Sequence, residues 1–219
     1  MLSWLPNFDN IRNPTVLCLG AHCDDIEIGC GGALIHLSKS HSGASFHNVI
    51  FSSTPERETE SRKALSQLLA SAKNNQIDVL NFRNSYFPYC GAEIKDYFNS
   101  LKANCQPDLI FTHFRNDRHQ DHRLISDLTW NTYRDHSILE YEIPKYDGDV
   151  GQPNVFLPIS EETTNEKIGC LMTSFASQVS RDWFTEETFR SLLRLRGIEC
   201  NSASGYAEGF YARKISVAL

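Results

Sequence analysis

The chain lacks any run approaching the roughly 18 apolar residues of a membrane span. The segment from Met1 to Asn13 also lacks the basic start and apolar core of a secretory signal. No Cys-x-x-Cys pair occurs among the seven cysteines, which stand at positions 18, 23, 30, 90, 105, 170 and 200. An odd, scattered set of that kind predicts reduced thiols and a cytoplasmic protein. Basic charge is in deficit: the formal net charge is -6 and the isoelectric point is near 5.7. That excludes non-specific nucleic-acid binding and a basic membrane-surface role, and favours a small polar substrate. There is no internal repeat and no low-complexity tract. What is present, 219 residues with 41% hydrophobic content, suffices for one sizeable core, so a single domain over 1–219 is expected. Trp4 and Leu5 are expected to pack as an N-terminal flap.

Apolar runs alternate with amphipathic stretches along the chain. Strands are expected at 16–20, 46–53, 77–82, 108–113, 138–143 and 155–159, the fourth being Asp108 to His113. Between and after them helices are expected at 31–40, 55–72, 93–103, 121–133, 164–178 and 185–195. In the second, Ala64, Leu65, Leu68 and Leu69 mark one face with a clear 3.6-residue period. Tyr146 to Pro153, rich in Gly, Asp and Pro, reads as a loop. Strand-helix alternation of this kind predicts an α/β three-layer sandwich with a largely parallel, Rossmann-like central sheet.

The chain is organised around Ala21-His22-Cys23-Asp24-Asp25-Ile26-Glu27, which follows the apolar run from Val16 and leads into Gly31-Gly32. The imidazole and both carboxylates then lie at a strand's C-terminal edge, where open parallel sheets keep their chemistry. His22 and Asp25 offer a nitrogen and an oxygen ligand, leaving Asp24 for acid or base work. Helix capping by Asp24 or Asp25 is the plainer reading of the same residues. A second cluster, Asp117-Arg118-His119-Gln120-Asp121-His122, follows the strand that ends at His113. A helix starting near Gln120 would turn His119 and His122 toward one cavity. Two histidines and a carboxylate, with Asp24, His119 and Asp121 as further polar groups, match a catalytic zinc site with a position open for water.

Those residues carry a family resemblance. The His22-Cys23-Asp24-Asp25-Ile26-Glu27 segment with Gly31-Gly32, and His119-Gln120-Asp121-His122, resemble the paired signature of the PIG-L/LmbE-like N-acetylglucosaminyl deacetylases. Arg57-x-x-Glu60, Ser177-Gln178 and Ala207-Glu208-x-Phe210 are similar to three weaker family motifs, so the likeness runs from Thr15 to Phe210. The resemblance implies zinc ligands at His22, Asp25 and His122, a general base at Asp24, an oxyanion-stabilising histidine at His119 and a sugar-facing Arg57. It implies a substrate that is an N-acetylated amino sugar, as a glycoside or nucleotide sugar, in polysaccharide, glycoconjugate or small-molecule biosynthesis. Two departures stand out: Cys23 occupies the family's usual proline position, and Phe82-Arg83-Asn84-Ser85 replaces a Pro-Asp-Gly-like turn.

In amide hydrolysis Asp24 would take the proton of the attacking water. Either Asp24 or His119 would protonate the leaving amine, with Asp121 expected to orient His119 and favour its charged form. Cys23 should point away from the ligands by strand alternation. His36, His41, His47 and His136 read as surface or satisfied side chains, while His113 is open between pocket lining and packing. Tyr86, Phe87 and Tyr89 form an aromatic loop where a sugar could stack, although packing is the commoner use. Two competing functions share the site: a non-haem Fe(II) oxygenase using two histidines and a carboxylate, and an inactive sugar-binding protein that keeps the metal for stability.

Overall fold

A computed structural model describes residue 11 and residues 13–215, so the expected flap at Trp4 and Leu5 lies outside the described residues. Seven strands form one sheet: β1 (Thr15–His22), β2 (Ser45–Ser52), β3 (Asn74–Val79), β4 (Leu109–His113), β5 (Ile138–Tyr141), β6 (Val155–Ile159) and β7 (Tyr206–Tyr211). Their spatial order is β3-β2-β1-β4-β5-β7-β6. The pairings from β3 through β5 are parallel, and β7 runs antiparallel to both β5 and β6. The helices are α1 (Asp25–Ser40), α2 (Pro55–Leu68), α3 (Gly91–Asn104), α4 (Gln120–Thr132), α5 (Glu161–Ser174) and α6 (Glu186–Glu199).

The period of two in β1 shows why the sheet is covered on both faces. Val16 and Cys18 enter one apolar cluster with Leu34, Leu65 and Leu171. Leu17, Leu19 and Ala21 enter the other with Phe98 and Ile125. Each face therefore needs its own helical layer, which gives the three-layer sandwich expected from the sequence. From β1 the chain winds outward through β2 and β3, then returns to place β4 on the other side of β1. The crevice between the carboxyl ends of β1 and β4 is thus the point where the winding reverses, the usual ligand site of such sheets.

The third strand runs over Asn74–Val79 instead of 77–82, and two further elements differ from expectation. The helix after β1 begins at Asp25 instead of Gly31, and is broken at Cys30, whose φ of -140° is non-helical. Donors freed by the break are taken up by Glu208: its Oε1 accepts from Gly32 N at 2.6 Å and its Oε2 from Ala33 N at 2.8 Å. Lys167 Nζ donates to the Ile28 carbonyl at 2.6 Å and to Glu208 Oε1 at 2.7 Å. A carboxylate on the restarted helix's first amides gains from the local dipole as well as the hydrogen bonds. Gly32 is required there, since a Cβ would lie 2.8 Å from Glu208 Oε1, and Gly29 is required under the Tyr141 ring, 2.2 Å from its Cδ2. The second difference is β7 itself. Its Glu208 and Gly209 hide the strand pattern, because Glu208 serves a helix across the layer interface instead of a polar surface.

Candidate metal centre

His22 ends β1, Asp25 opens α1, and His122 lies in the first turn of α4. Tertiary structure brings their ligand atoms together: His22 Nδ1 lies 3.2 Å from His122 Nε2 and 3.5 Å from Asp25 Oδ2, and His122 Nε2 lies 3.6 Å from Asp25 Oδ2. Ligands about 2.0–2.1 Å from a tetrahedral zinc stand about 3.3 Å apart, so the triangle has the dimensions of three such positions. The far nitrogen of each imidazole meets a carboxylate, His22 Nε2 facing Asp121 Oδ2 at 3.1 Å and His122 Nδ1 facing Asp117 Oδ2 at 2.9 Å. Those contacts hold a ring proton of each on the outside; against burial, Asp121 and Asp25 raise the His22 pKa to about 9, so a cation would take the place of its second proton and find two lone pairs and a carboxylate oxygen facing one point. A donor set of that kind fits a divalent cation. Two other groupings, His22 with His119 and His122, and Asp25 with His113 and His122, also bring donors within 4.8 Å. His113 Nε2, however, already accepts from Ala21 N at 2.9 Å, so its lone pair is engaged.

Asp24 stands in the N-cap position of α1 but does not cap it. Its backbone is left-handed, at a φ of 92°, a strained state that turns the carboxyl away from the helix. There Oδ2 accepts from Arg57 Nη2 at 2.7 Å. The same guanidinium nitrogen donates to the Cys23 carbonyl, so Arg57 clamps the turn. Burial pushes the Asp24 carboxyl up to about 7, against the pull of Arg57 and with the push of Asp25. In contrast, Asp25 is held well below the usual carboxylate range, burial being overcome by His122 and His113.

His119 and Asp121 stand differently from expectation. Asp121 does not touch the His119 ring through its carboxylate; it accepts from Ser85 N at 2.6 Å and Phe87 N at 3.1 Å besides facing His22. Being in the first turn of α4, its side chain swings back toward the 83–89 loop, where Ser85 has a φ of 64°. Instead, the backbone N–H of Asp121 donates to His119 Nδ1 at 3.3 Å, which leaves Nε2 as the protonated nitrogen of a neutral ring. Burial and the charge of His22 lower the His119 pKa. The ring packs edge-on to His22 at 4.9 Å.

These side chains line one wall of a cavity of about 400 Å³, which Asn84, Lys145, Gln178 and Trp183 help to enclose. A family model described as PIG-L, GlcNAc-PI de-N-acetylase, matches residues 17–133, the span that holds all of these ligand and base positions. This chain belongs to the PIG-L family. It is 30% identical over 170 residues to the uncharacterized deacetylase YaiS of Escherichia coli K12, covering 71% of this chain and 88% of that protein. Among solved structures it resembles the N,N'-diacetylchitobiose deacetylase of Pyrococcus horikoshii, with a TM-score of 0.68 and 21% identity over 93% of this chain and 84% of that one. It also resembles GalB, the 4-carboxy-2-hydroxymuconate hydratase of Pseudomonas putida KT2440, with a TM-score of 0.71 and 16% identity over 94% and 98%. A hydratase on the same frame shows that the PIG-L fold alone does not name the reaction.

The structure also reveals parts that the sequence reading left without a role. Asp117 fixes His122, accepts from His119 N at 2.7 Å and meets Lys145 Nζ at 2.9 Å. Burial works against its charge, but the hydrogen bond from His122 and the neighbouring cations hold it well below the usual range. Its place two residues before His119 was the available signal. His113 is a packing residue, stacked on His122 at 4.0 Å. Cys23 points into the core toward Ser53 Oγ at 3.1 Å, and burial pushes its thiol up to about 12, so it offers no thiolate. Phe87 is fully buried beside His22, whereas Tyr89 is 83% exposed, so the aromatic loop divides between packing and solvent. His47 is a satisfied side chain, as expected, paired with Asp78 at 2.7 Å across the β2-β3 pair. Arg-x-x-Glu and Ser-Gln meet as well, Glu60 accepting from both Ser177 N and Ser177 Oγ.

Proposed function

We propose that this PIG-L protein is a zinc-type, metal-dependent deacetylase that hydrolyses the acetamide of an N-acetylated amino sugar. The observation that carries the reading is the triangle of His22, Asp25 and His122 with Asp24 beside it on Arg57 instead of on the metal position. An oxygenase would have no use for a buried carboxyl poised next to the ligands, and a retired binding site would have no use for its clamp. His22, Asp25 and His122 would hold the cation, and a divalent cation there supplies a Lewis acid for the acetyl carbonyl and lowers the pKa of a bound water. Two imidazoles and one carboxylate suit Zn(II) and also accept Fe(II).

The protein's own groups do the rest. Asp24, whose pKa lies near working pH, takes a proton from the water that adds to the acetyl carbon. His119, neutral and protonated on Nε2, donates a hydrogen bond to the developing oxyanion. When the C–N bond breaks, the amine nitrogen takes the proton that Asp24 removed from the water, because a neutral His119 that gave up its Nε2 proton would be left as an imidazolate, and acetate and the free amino sugar leave. Arg57 holds Asp24 in place and so acts as a positioning residue. The nitrogen-bearing ring of the substrate occupies the 400 Å³ cavity.

The test is acetate release from a panel of N-acetyl sugars, sugar phosphates and nucleotide sugars. Metal-stripped protein is assayed with and without Zn(II) or Fe(II), in air and under nitrogen. Metal-dependent, oxygen-independent acetate from a panel member is expected. Turnover that requires oxygen, or stoichiometric metal with no acetate from any member, would overturn the reading.

A further inference from the structure

Of the cations that line the cavity, two are already committed. Arg57 is paired with Asp24, and Lys145 is paired with Asp117 at 2.9 Å and Asp149 at 2.6 Å. Arg181 is the third; it is exposed, and among the described residues its guanidinium has no hydrogen-bond or ion-pair partner. It sits on the segment between α5 and α6, which is a built turn and not a loose loop. Ser177 is fixed by Glu60, Arg181 N donates to the Gln178 carbonyl at 2.9 Å, and Phe184 N donates to the Arg181 carbonyl at 3.0 Å. Phe175 and Phe184, both buried, pin the two ends of the turn in the core. The indole of Trp183, held edge-on by Phe184 at 5.6 Å, lines the same wall. Asp147, on the loop after β5, also lines the cavity, and among the described residues it too lacks an ion-pair partner. The rim therefore carries a guanidinium and an indole on one ordered turn, with Tyr146 and the Asp147 carboxylate from the loop after β5 in the same lining.

A guanidinium without a carboxylate partner, carried at a cavity's edge by an ordered turn, is a site for a planar or tetrahedral oxyanion, which it can grip with two N–H donors. We infer that Arg181, with Trp183 beside it, forms a subsite for a phosphate carried by the amino sugar, so that the natural substrate is a phosphorylated N-acetyl sugar. The inference rests on the deacetylase reading and narrows it to one substrate class. Asp147, in the same lining, repels a second anion and accepts from sugar hydroxyls, and so favours one orientation. The phosphate could belong to a sugar monophosphate or to a nucleotide sugar. Trp183 separates them, because only a nucleotide brings a base that could stack on the indole.

The experiment compares acetate release by the metal-loaded protein from methyl N-acetylglucosaminide, N-acetylglucosamine 1-phosphate, the 6-phosphate and UDP-N-acetylglucosamine. Wild type, Arg181→Ala, Arg181→Lys and Trp183→Leu are assayed on each. One phosphorylated substrate should exceed the neutral glycoside by about 10-fold or more in kcat/KM, as a charge-assisted hydrogen-bond pair provides. Arg181→Ala should remove that advantage through KM with kcat retained, leave the neutral glycoside within about twofold, and be partly rescued by Arg181→Lys. A loss in Trp183→Leu confined to the UDP sugar identifies the nucleotide as the source. An equal loss in Trp183→Leu on all phosphorylated substrates, with the neutral glycoside unchanged, identifies the monophosphate. Equal effects of Arg181→Ala on neutral and phosphorylated sugars, or no preference for phosphate, would overturn the subsite. If no sugar yields acetate, the deacetylase reading itself fails. Calorimetric binding of N-acetylglucosamine 1-phosphate to wild type and Arg181→Ala then still decides the subsite, equal affinity overturning it.

Discussion

His22 Nδ1 and His122 Nε2 stand 3.2 Å apart although 100 positions separate the residues in the chain. Two ring nitrogens approach that closely because each has its other nitrogen turned onto a carboxylate, Asp121 for His22 and Asp117 for His122. The pair is therefore poised to share a cation. His122→Ala should abolish stoichiometric zinc binding, read by metal analysis after dialysis. Asp117→Asn, which frees the His122 ring without removing it, should weaken zinc binding by about 10- to 100-fold in a chelator competition. Unchanged affinity in Asp117→Asn would show that the ring needs no such support.

Asp24 and Arg57 form the second relationship, at 2.7 Å. Asp24→Asn should retain the metal and lose turnover by about 10²- to 10⁴-fold, as expected for removal of a general base. Arg57→Gln should lower kcat less. It should also move the acid limb of the kcat/KM profile to higher pH, because the guanidinium is what pulls the Asp24 pKa down against burial. An acid limb that stays in place would separate Asp24 from that limb.

Glu208 is 2% exposed and takes two amides of the restarted α1 together with the Lys167 ammonium. Glu208→Gln should destabilise the fold by about 3–5 kcal/mol, the usual result of stranding one partner of a buried ion pair. Thermal or urea unfolding measures it. Adding Lys167→Met should recover part of the loss, since no unpaired charge is then left behind. A Glu208→Gln protein as stable as wild type would mean that the helix break is satisfied in another way.

Glu27 is wholly buried; its Oε1 accepts from Ser61 while Oε2 has no partner among the described residues. Burial, against the Ser61 hydrogen bond, pushes its carboxyl from an ordinary 4.5 up to about 8. A carboxyl whose pKa is raised by folding binds a proton more tightly in the native state. Its contribution to stability is fully present below pH 4.5 and is lost as pH rises through about 8. In metal-stripped protein, Glu27→Gln should leave the melting temperature nearly unchanged at pH 4.5 and raise it relative to wild type by pH 8. Parallel melting curves for the two proteins across that range would show that Glu27 is ionised in the native state throughout.

The sequence by itself determined the layer architecture, because apolar runs with a period of two between helices with a period of 3.6 leave few other ways to bury both faces of a sheet. Six of the seven strands and six helices were legible for that reason, and so were His22, Asp25 and His122, which lie at strand ends and helix starts that the same patterns mark. Only the tertiary structure decided how those residues are supported. Glu208 reaches across the fold to groups far away in sequence, as Arg57 does to Asp24, and a single chain's local pattern carries no record of such distances. Asp121 was read as a neighbour of His119 because it is close in sequence. The start of α4 turns it instead toward His22 and the 83–89 loop. The direction of a side chain at a helix end depends on what packs beside the helix, and that is fixed only when the chain closes on itself.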